Sequence, residues 1–299
     1  MRAVQRLREQ RRPGVLVTVM SVRGHAPRDA GAKMVVAEDH VWATVGGGNL
    51  ESVAVERARE LLAASTTDPE MLEFALSDKA PYQHGVQCCG GEVRLLLEPL
   101  PVVPSVAIFG MGHVGLELAR ILARHDVELH LVDSRPGQLV PERLSVLDDA
   151  VANVHVHHVP VLPELVVGEL PPGTHALVMT HDHAEDAALC DAALRNGQLA
   201  TIGLIGSSAK WSRFRRKLAD DGLPAEAIDK ITIPIGLPGL PGKEPATIAV
   251  SVAAWLLQLF TAERSVPPDQ LTTAERNAAP APLITADRRP ASAQREAKA

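Results

Sequence analysis

Apolar positions along the chain follow two different rhythms. In the first hundred residues, β-branched runs alternate with turn-rich polar stretches: VLVTVMSV (15–22), AKMVVAE (32–38) and VWATV (41–45), with RGHAPRDAG between the first two. Such runs predict strands. After Gly46-Gly47-Gly48, the residues Val53, Ala54, Arg57, Ala58 and Leu61 recur at helical spacing and predict a helix from Leu50 to about Ala64. EVRLLLEPL (92–100) predicts one more strand, and residues 1–12 a short amphipathic helix closed by Pro13-Gly14. Pro99, Pro101 and Pro104 then punctuate the chain. Beyond them near-continuous apolar strands at 106–109, 127–133, 154–159, 175–180, 199–205 and 230–235 alternate with helical patterns at 113–125, 183–196, 208–221 and 244–260. That alternation is what a buried parallel sheet requires. The expected fold class is α/β, a Rossmann-like parallel-sheet domain (103–261) preceded by a smaller α+β domain (1–100). Residues 262–299 are Ala- and Pro-rich with few large apolar side chains, and read as a disordered tail.

Composition narrows the function classes. Hydrophobic residues make up 46% and charged residues 22%, as in a folded globular chain, and the 3% of aromatics leaves the cores to aliphatic side chains. With 36 acidic against 30 basic residues, no positive excess exists to hold a phosphate backbone, so nucleic acid is not expected as a partner. No apolar run approaches the roughly 20 residues of a bilayer span, and the basic start lacks a signal-peptide core, so no membrane association is expected. Three cysteines, two adjacent, give no disulfide framework and favour a reducing cytoplasm.

The clearest chemical signal is Gly110-Met111-Gly112-His113-Val114-Gly115, directly after VAIF and opening a helix. Gly110 permits the tight turn, Gly112 lets a pyrophosphate approach the backbone, and Gly115 allows close helix–strand packing. Asp133 stands at the end of the next strand, where a ribose-binding acid belongs, and Arg135 beside it leaves NAD against NADP open. Cys88-Cys89-Gly90-Gly91 is the second signal. Its bland reading is a pair of small residues before a bend; its functional reading is an accessible thiol for a soft metal or sulfur transfer. Arg28, Lys33 and His25 bring cations to the loop between the first two strands. Lys243 sits in a glycine-rich loop, GLPGLPGKEP, that opens the last helix and exposes backbone donors. His181, in HDH after the strand HALVMT, lies where a carboxyl-edge site would place an acid–base group. Cys190 reads as a small buried hydrophobe, and His155, His157 and His158 as the alternating faces of a strand. The sequence offers no catalytic triad, paired carboxylates or zinc-ligand set.

Together, GHAPRDAGAKM, VGGGNLE, QCCGG, FGMGHVG, VMTHDHAEDAALCDAALR, TIGLIGSSAKWSRFRRKL and IPIGLPGLPGKEPATIAVSVAAWLL resemble the xanthine dehydrogenase accessory proteins, the XdhC/CoxI family, in that family's order over roughly residues 13–260. The resemblance implies a chaperone that binds molybdenum cofactor and protects it. It implies further that a cysteine desulfurase adds the terminal sulfur to the held cofactor. Delivery to a molybdenum hydroxylase such as xanthine dehydrogenase follows. It also implies that Cys89 is the thiol facing the metal, with Cys88 second. A homodimer is expected. The alternative is an NAD(P)-dependent oxidoreductase using Gly110, Gly112, Gly115 and Asp133, with His181 as acid–base.

Overall fold

The computed structural model describes residues 2–75, 91–240 and 242–265. In chain order the first half is α1 (Arg2–Glu9), β1 (Gly14–Arg23), β2 (Lys33–Val36), β3 (Val41–Ala43), α2 (Gly48–Ala63), β4 (Glu70–Ala75) and β5 (Glu92–Leu100). Its strands form an antiparallel sheet in the order β3-β2-β1-β5-β4, with β1 and β5 paired from Gly14↔Leu100 to Arg23↔Glu92. The period-2 alternation of β1 explains the layering. Val15, Val17 and Val19 turn one way, onto Leu50, Ala54, Ala58 and Leu61 of α2; Leu16 turns the other way, toward Leu7 of α1. Each fully buried Leu on α2 contributes about 2 kcal/mol of transfer free energy, so the helix is held by this stripe more than by its own propensity.

The second half runs β6 (Ser105–Phe109), α3 (His113–Leu122), β7 (Glu128–Asp133), α4 (Pro141–Leu144), β8 (Asn153–His158), β9 (Thr174–Val178), α5 (His183–Asn196), β10 (Thr201–Leu204), α6 (Ser208–Asp220), α7 (Ala225–Ile228), β11 (Ile231–Thr232) and α8 (Pro245–Ser265). All its strand pairs are parallel, in the order β11-β10-β9-β6-β7-β8. This is the doubly wound Rossmann-like arrangement, with its topological switch between β6 and β9. Both faces are covered: Val106 and Ile108 of β6 point to α3 and α8, Ala107 and Phe109 to the side of α5 and α6. Every residue of β6 and β9 is buried, which accounts for their unbroken apolar runs.

Some elements differ from expectation. β4 was not anticipated: the apolar residues of EMLEFA, Met71, Leu72, Phe74 and Ala75, make no clean alternation, and the strand gains its order from pairing with β5. β11 stops after two residues because Pro234 has no N–H for the ladder. α8 runs to Ser265, so residues 262–265 continue the helix rather than begin a tail, and Glu263 lies 3.3 Å from the buried His175. Over Pro245–Glu263, with a mean hydropathy of 1.5, α8 is long and apolar enough to cross a membrane, contrary to the expectation that no run approaches that length. Here its inner face, Ala249, Val252, Ala253 and Leu256, is buried against the side of the sheet that α3 covers.

The two halves meet at the amino edge of the parallel sheet. Arg8 pairs with Asp126 in the turn before β7, and Arg11 Nη1 donates to Val103 O at 2.9 Å. An apolar cavity of about 340 Å³ lies at this junction between Leu61, Leu62, Pro101, Pro172 and Phe260. Its lining includes the boundary prolines Pro99, Pro101 and Pro104 but none of the candidate site residues read from the sequence.

Candidate functional site

At the switch point, α3 leaves β6 on one side of the sheet and α5 leaves β9 on the other, opening a crevice between their first turns. The three glycines of the turn have separable roles. Gly110 has φ +107°, and a Cβ there would lie 2.5 Å from Met179 O. A Cβ on Gly115 would lie 2.1 Å from Gly110 O. Both are required by the backbone. A Cβ on Gly112 meets nothing within 4 Å, and no side chain caps the N-terminus of α3, which leaves its first N–H groups without a side-chain acceptor at the cap. That is an anion site in its simplest form.

Asp133 is placed differently from expectation. Its carboxylate is buried, accepting from Met111 N at 2.7 Å, from Arg135 N and Nε at 2.9 Å each, and from Arg135 Nη2 at 2.8 Å. Burial pushes its pKa up, but these donors outweigh it and hold it below the usual range. The acid braces the glycine turn instead of facing a ribose; a diol could reach it only by displacing Arg135. The residues of the turn therefore fit a phosphate, and their donor set does not fit the ribose of a dinucleotide.

Across the crevice stand Thr180, His181, Asp182 and His183. Asp182 caps α5, accepting from Ala184 N at 2.6 Å and Glu185 N at 3.1 Å, and His181 is exposed beside it. Behind them the fully buried Asp186 accepts from Thr180 N and Oγ1 at 3.1 and 2.8 Å. Glu185 accepts from Ser134 Oγ at 3.0 Å, and burial raises its pKa, with the charge of Asp133 adding to the shift. The loop after β11 leaves the same edge. Gly236, at φ +101°, would place a Cβ 2.5 Å from Ser251 Oγ, and Lys243 is exposed at the loop's far end.

Arg28 lies elsewhere, on the loop that follows the end of β1 remote from the junction, and Lys33 lies opposite Thr18, midway along that strand. Lys33 Nζ donates to Thr18 Oγ1 at 2.9 Å, and Arg28 is exposed. Three motifs converge there. A Cβ on Gly46 would lie 3.0 Å from Pro27 Cβ, and one on Gly91 would lie 2.3 Å from His25 O. The GHAPRDAG loop is thus wedged between the triglycine turn and the start of β5. Cys88 and Cys89 lie outside the described residues.

Glu51 is the functional-looking residue that the sequence reading did not single out. Its carboxylate accepts from Thr44 Oγ1 and, at 3.1 Å each, from Val45 N and Gly47 N. The signal was present in VGGGNLE, where an acid in the first turn of α2 can reach back over the glycines. Glu51→Ala strands those donors and is expected to lower stability by about 2 kcal/mol. A urea midpoint equal to wild type would refute that role.

Compared with known proteins, the chain matches the XdhC Rossmann domain over residues 106–256 and the XdhC and CoxI family over residues 7–75. It is 24% identical over 254 residues to the uncharacterized protein YqeB of Escherichia coli, covering 85% of this chain and 45% of that one. The chain therefore spans less than half the length of that relative. It is 25% identical to the molybdenum cofactor insertion chaperone PaoD of Escherichia coli, covering 80% of this chain and 81% of PaoD. A solved structure of a xanthine dehydrogenase from Bacillus halodurans aligns with a TM-score of 0.44 and 20% identity, over 88% of this chain and 96% of that one.

Proposed function

The chain belongs to the XdhC and CoxI family, and from that premise we propose that it is a carrier which binds molybdenum cofactor and inserts it into a xanthine-dehydrogenase-type hydroxylase. The observation that carries this reading over the oxidoreductase is the state of Asp133. A dinucleotide enzyme needs that carboxylate for ribose, whereas here it is tied to Arg135 and the glycine turn while the N-terminus of α3 beside Gly112 stays open. A phosphate-bearing pterin cofactor asks for the anion site and not for the acid. The relationship to PaoD, whose name describes molybdenum cofactor insertion, supports the same cargo.

In this reading the cofactor phosphate docks at the Gly110–Gly115 turn, with His181 and Lys243 on the loops of the same edge, and Arg28 and Lys33 supply cations at the other cluster. Cys89 offers the soft thiolate to molybdenum, and Cys88 is the lesser ligand. A cysteine desulfurase sulfurates the held cofactor. The carrier works in the cytoplasm, as a homodimer, with domains at 1–100 and 103–265. Incubated anaerobically with molybdenum cofactor, the purified protein is expected to retain close to one equivalent per chain. Cys89→Ala is expected to lose most of that, and Cys88→Ala less. A deletion strain should keep its hydroxylase folded but short of molybdenum and activity. Full activity and full molybdenum content in that strain would reject the proposal.

A further inference from the structure

The cavity at the junction of the halves carries a cation that the fold leaves unserved. Arg11 forms part of its wall. Nη1 of that guanidinium donates to Val103 O, and Nε is buried with no acceptor among the described residues. Arg8 and Arg12, on either side, each pair with a carboxylate, Asp126 and Asp39. No carboxylate among the described residues pairs with Arg11. Glu128, the acid whose charge acts on it, is already shared by Asn153 Nδ2 at 2.9 Å and His155 Nε2 at 2.8 Å. Burial accordingly pulls the pKa of Arg11 below its ordinary value, with Glu128 opposing. A half-buried cation in this state favours an incoming anion.

The backbone holds Arg11 there against its preference. α1 ends with Arg12 N donating to Leu7 O at 2.9 Å and Arg11 N to Arg8 O at 3.0 Å. α2 ends in the same way, with Thr66 N donating to Leu61 O at 3.1 Å and Ser65 N to Leu62 O at 3.0 Å. Helix ends of this kind put one residue in the left-handed region and favour glycine there. Here those positions hold Arg11 at φ 49° and Ser65 at φ 51°, and both line the cavity. A glycine at position 11 would suit the helix end better, so the guanidinium stands on this wall at a cost to the backbone.

Most of the remaining wall is apolar and comes from both halves, Leu61 and Leu62 from the first and Pro172, Ala200 and Phe260 from the second. A volume of about 340 Å³ with few polar groups is within the range of small-molecule sites. Glu263 adds a carboxylate on the α8 side, 3.3 Å from His175 Nε2, and turns a second negative charge away. We propose that this cavity binds an apolar monocarboxylate, with its charged end on Arg11 and its hydrocarbon body between Leu61, Leu62, Pro172 and Phe260. The carboxylate gives the guanidinium fork the two parallel acceptors it takes. Because the body touches both halves, its binding stabilises the folded chain. The site is separate from the Gly110–Gly115 turn and does not depend on the carrier reading.

Octanoate, octan-1-ol and octan-1-amine share a body and differ in charge, so titration calorimetry with the three on the full-length protein tests the assignment. Octanoate should bind at a single site per chain, about tenfold tighter than octan-1-ol, and octan-1-amine should not bind. Arg11→Gly suits the left-handed backbone, so the empty variant should unfold within a few degrees of wild type yet bind octanoate no better than octan-1-ol. Arg11→Met, which keeps an apolar stem, should lose the same preference. Ala200→Phe fills the cavity from the other half and should abolish binding of octanoate and octan-1-ol alike. Circular dichroism establishes that each variant is folded. Wild-type protein that ignores octanoate, or binds it no tighter than octan-1-ol, overturns the proposal. So does octanoate binding that survives Arg11→Gly, Arg11→Met or Ala200→Phe unchanged.

Discussion

Gly115→Ala is expected to cost on the order of 4 kcal/mol and to lower the thermal midpoint by on the order of 10 °C. The added methyl would sit 2.1 Å from Gly110 O, inside van der Waals contact with backbone that cannot swing aside. Gly110 is itself pinned, because its own missing Cβ lies 2.5 Å from Met179 O and its N–H donates to Val132 O at 2.8 Å. Relief would therefore have to separate α3 from β6 and open the core around Ile108 and Leu118, both fully buried. Gly112→Ala, three residues away in the same motif, should leave the midpoint within about 1 °C, since nothing lies within 4 Å of its Cβ. Calorimetry of the pair separates the structural glycine from the ligand-facing one. Equal midpoints for the two variants would sink the distinction.

Acid should weaken the fold through His130. This side chain, 7% exposed on β7, lies with Nδ1 3.1 Å from His157 Nε2 and is stacked on His155 at 4.6 Å between ring centroids. Burial, then the neighbouring His155 and His157, with Arg11 adding a little, push its pKa down to about 4; Glu128, which bonds His155 Nε2 at 2.8 Å, opposes them. Burial lowers the pKa of His157 as well, against Glu169. In the unfolded chain a histidine titrates near pH 6.5. Above that value His130 is neutral in both states and costs nothing. As pH falls from 6.5 toward 4 the unfolded chain takes up a proton that the folded one refuses, so stability declines through that window. The loss amounts to about 2 kcal/mol after allowance for partial solvation of the cluster. Urea midpoints at pH 7.5 and 4.5 measure it, and His130→Gln should remove most of this part of the difference. An unchanged pH slope in that variant would count against the assignment.

Much of the fold was legible because it depends on periodicity. The alternation of Val15, Val17 and Val19, the stripe Leu50–Ala54–Ala58–Leu61, and the buried runs around Ile108 and Leu131 are each dictated by the surface they cover. The glycine turn was legible too, since strand, glycines and helix occur in the order that close packing demands. What the sequence hid were tertiary commitments of polar groups. Nothing local says that Arg135 folds back onto Asp133, and the same two residues read equally well as a ribose site. Glu51 escaped notice because its partners are backbone N–H groups, which no residue type advertises. Arg28 and Gly112 look like members of one site in a linear list; only the directions of β1 and β6 reveal that they sit at remote ends. β4 was missed because its apolar residues are split between both faces and interrupted by Glu73, so no clean alternation announces it.

α8 runs from the edge of the crevice to the junction of the two halves. It begins at Pro245, just after the Lys243 loop at the crevice edge, and carries Phe260 and Glu263 on the wall of the cavity between the halves. Its 21 residues span about 31 Å as one stiff rod, clamped along its length by Ala249, Val252 and Leu256. A rod cannot shift at one tip alone. Whatever draws the Lys243 loop toward a bound anion by an ångström along the helix axis must move Phe260 and Glu263 by the same amount, and strain the contact of Glu263 with His175. A displacement of the Lys243 loop along that axis is therefore felt at the seating of the two halves on one another.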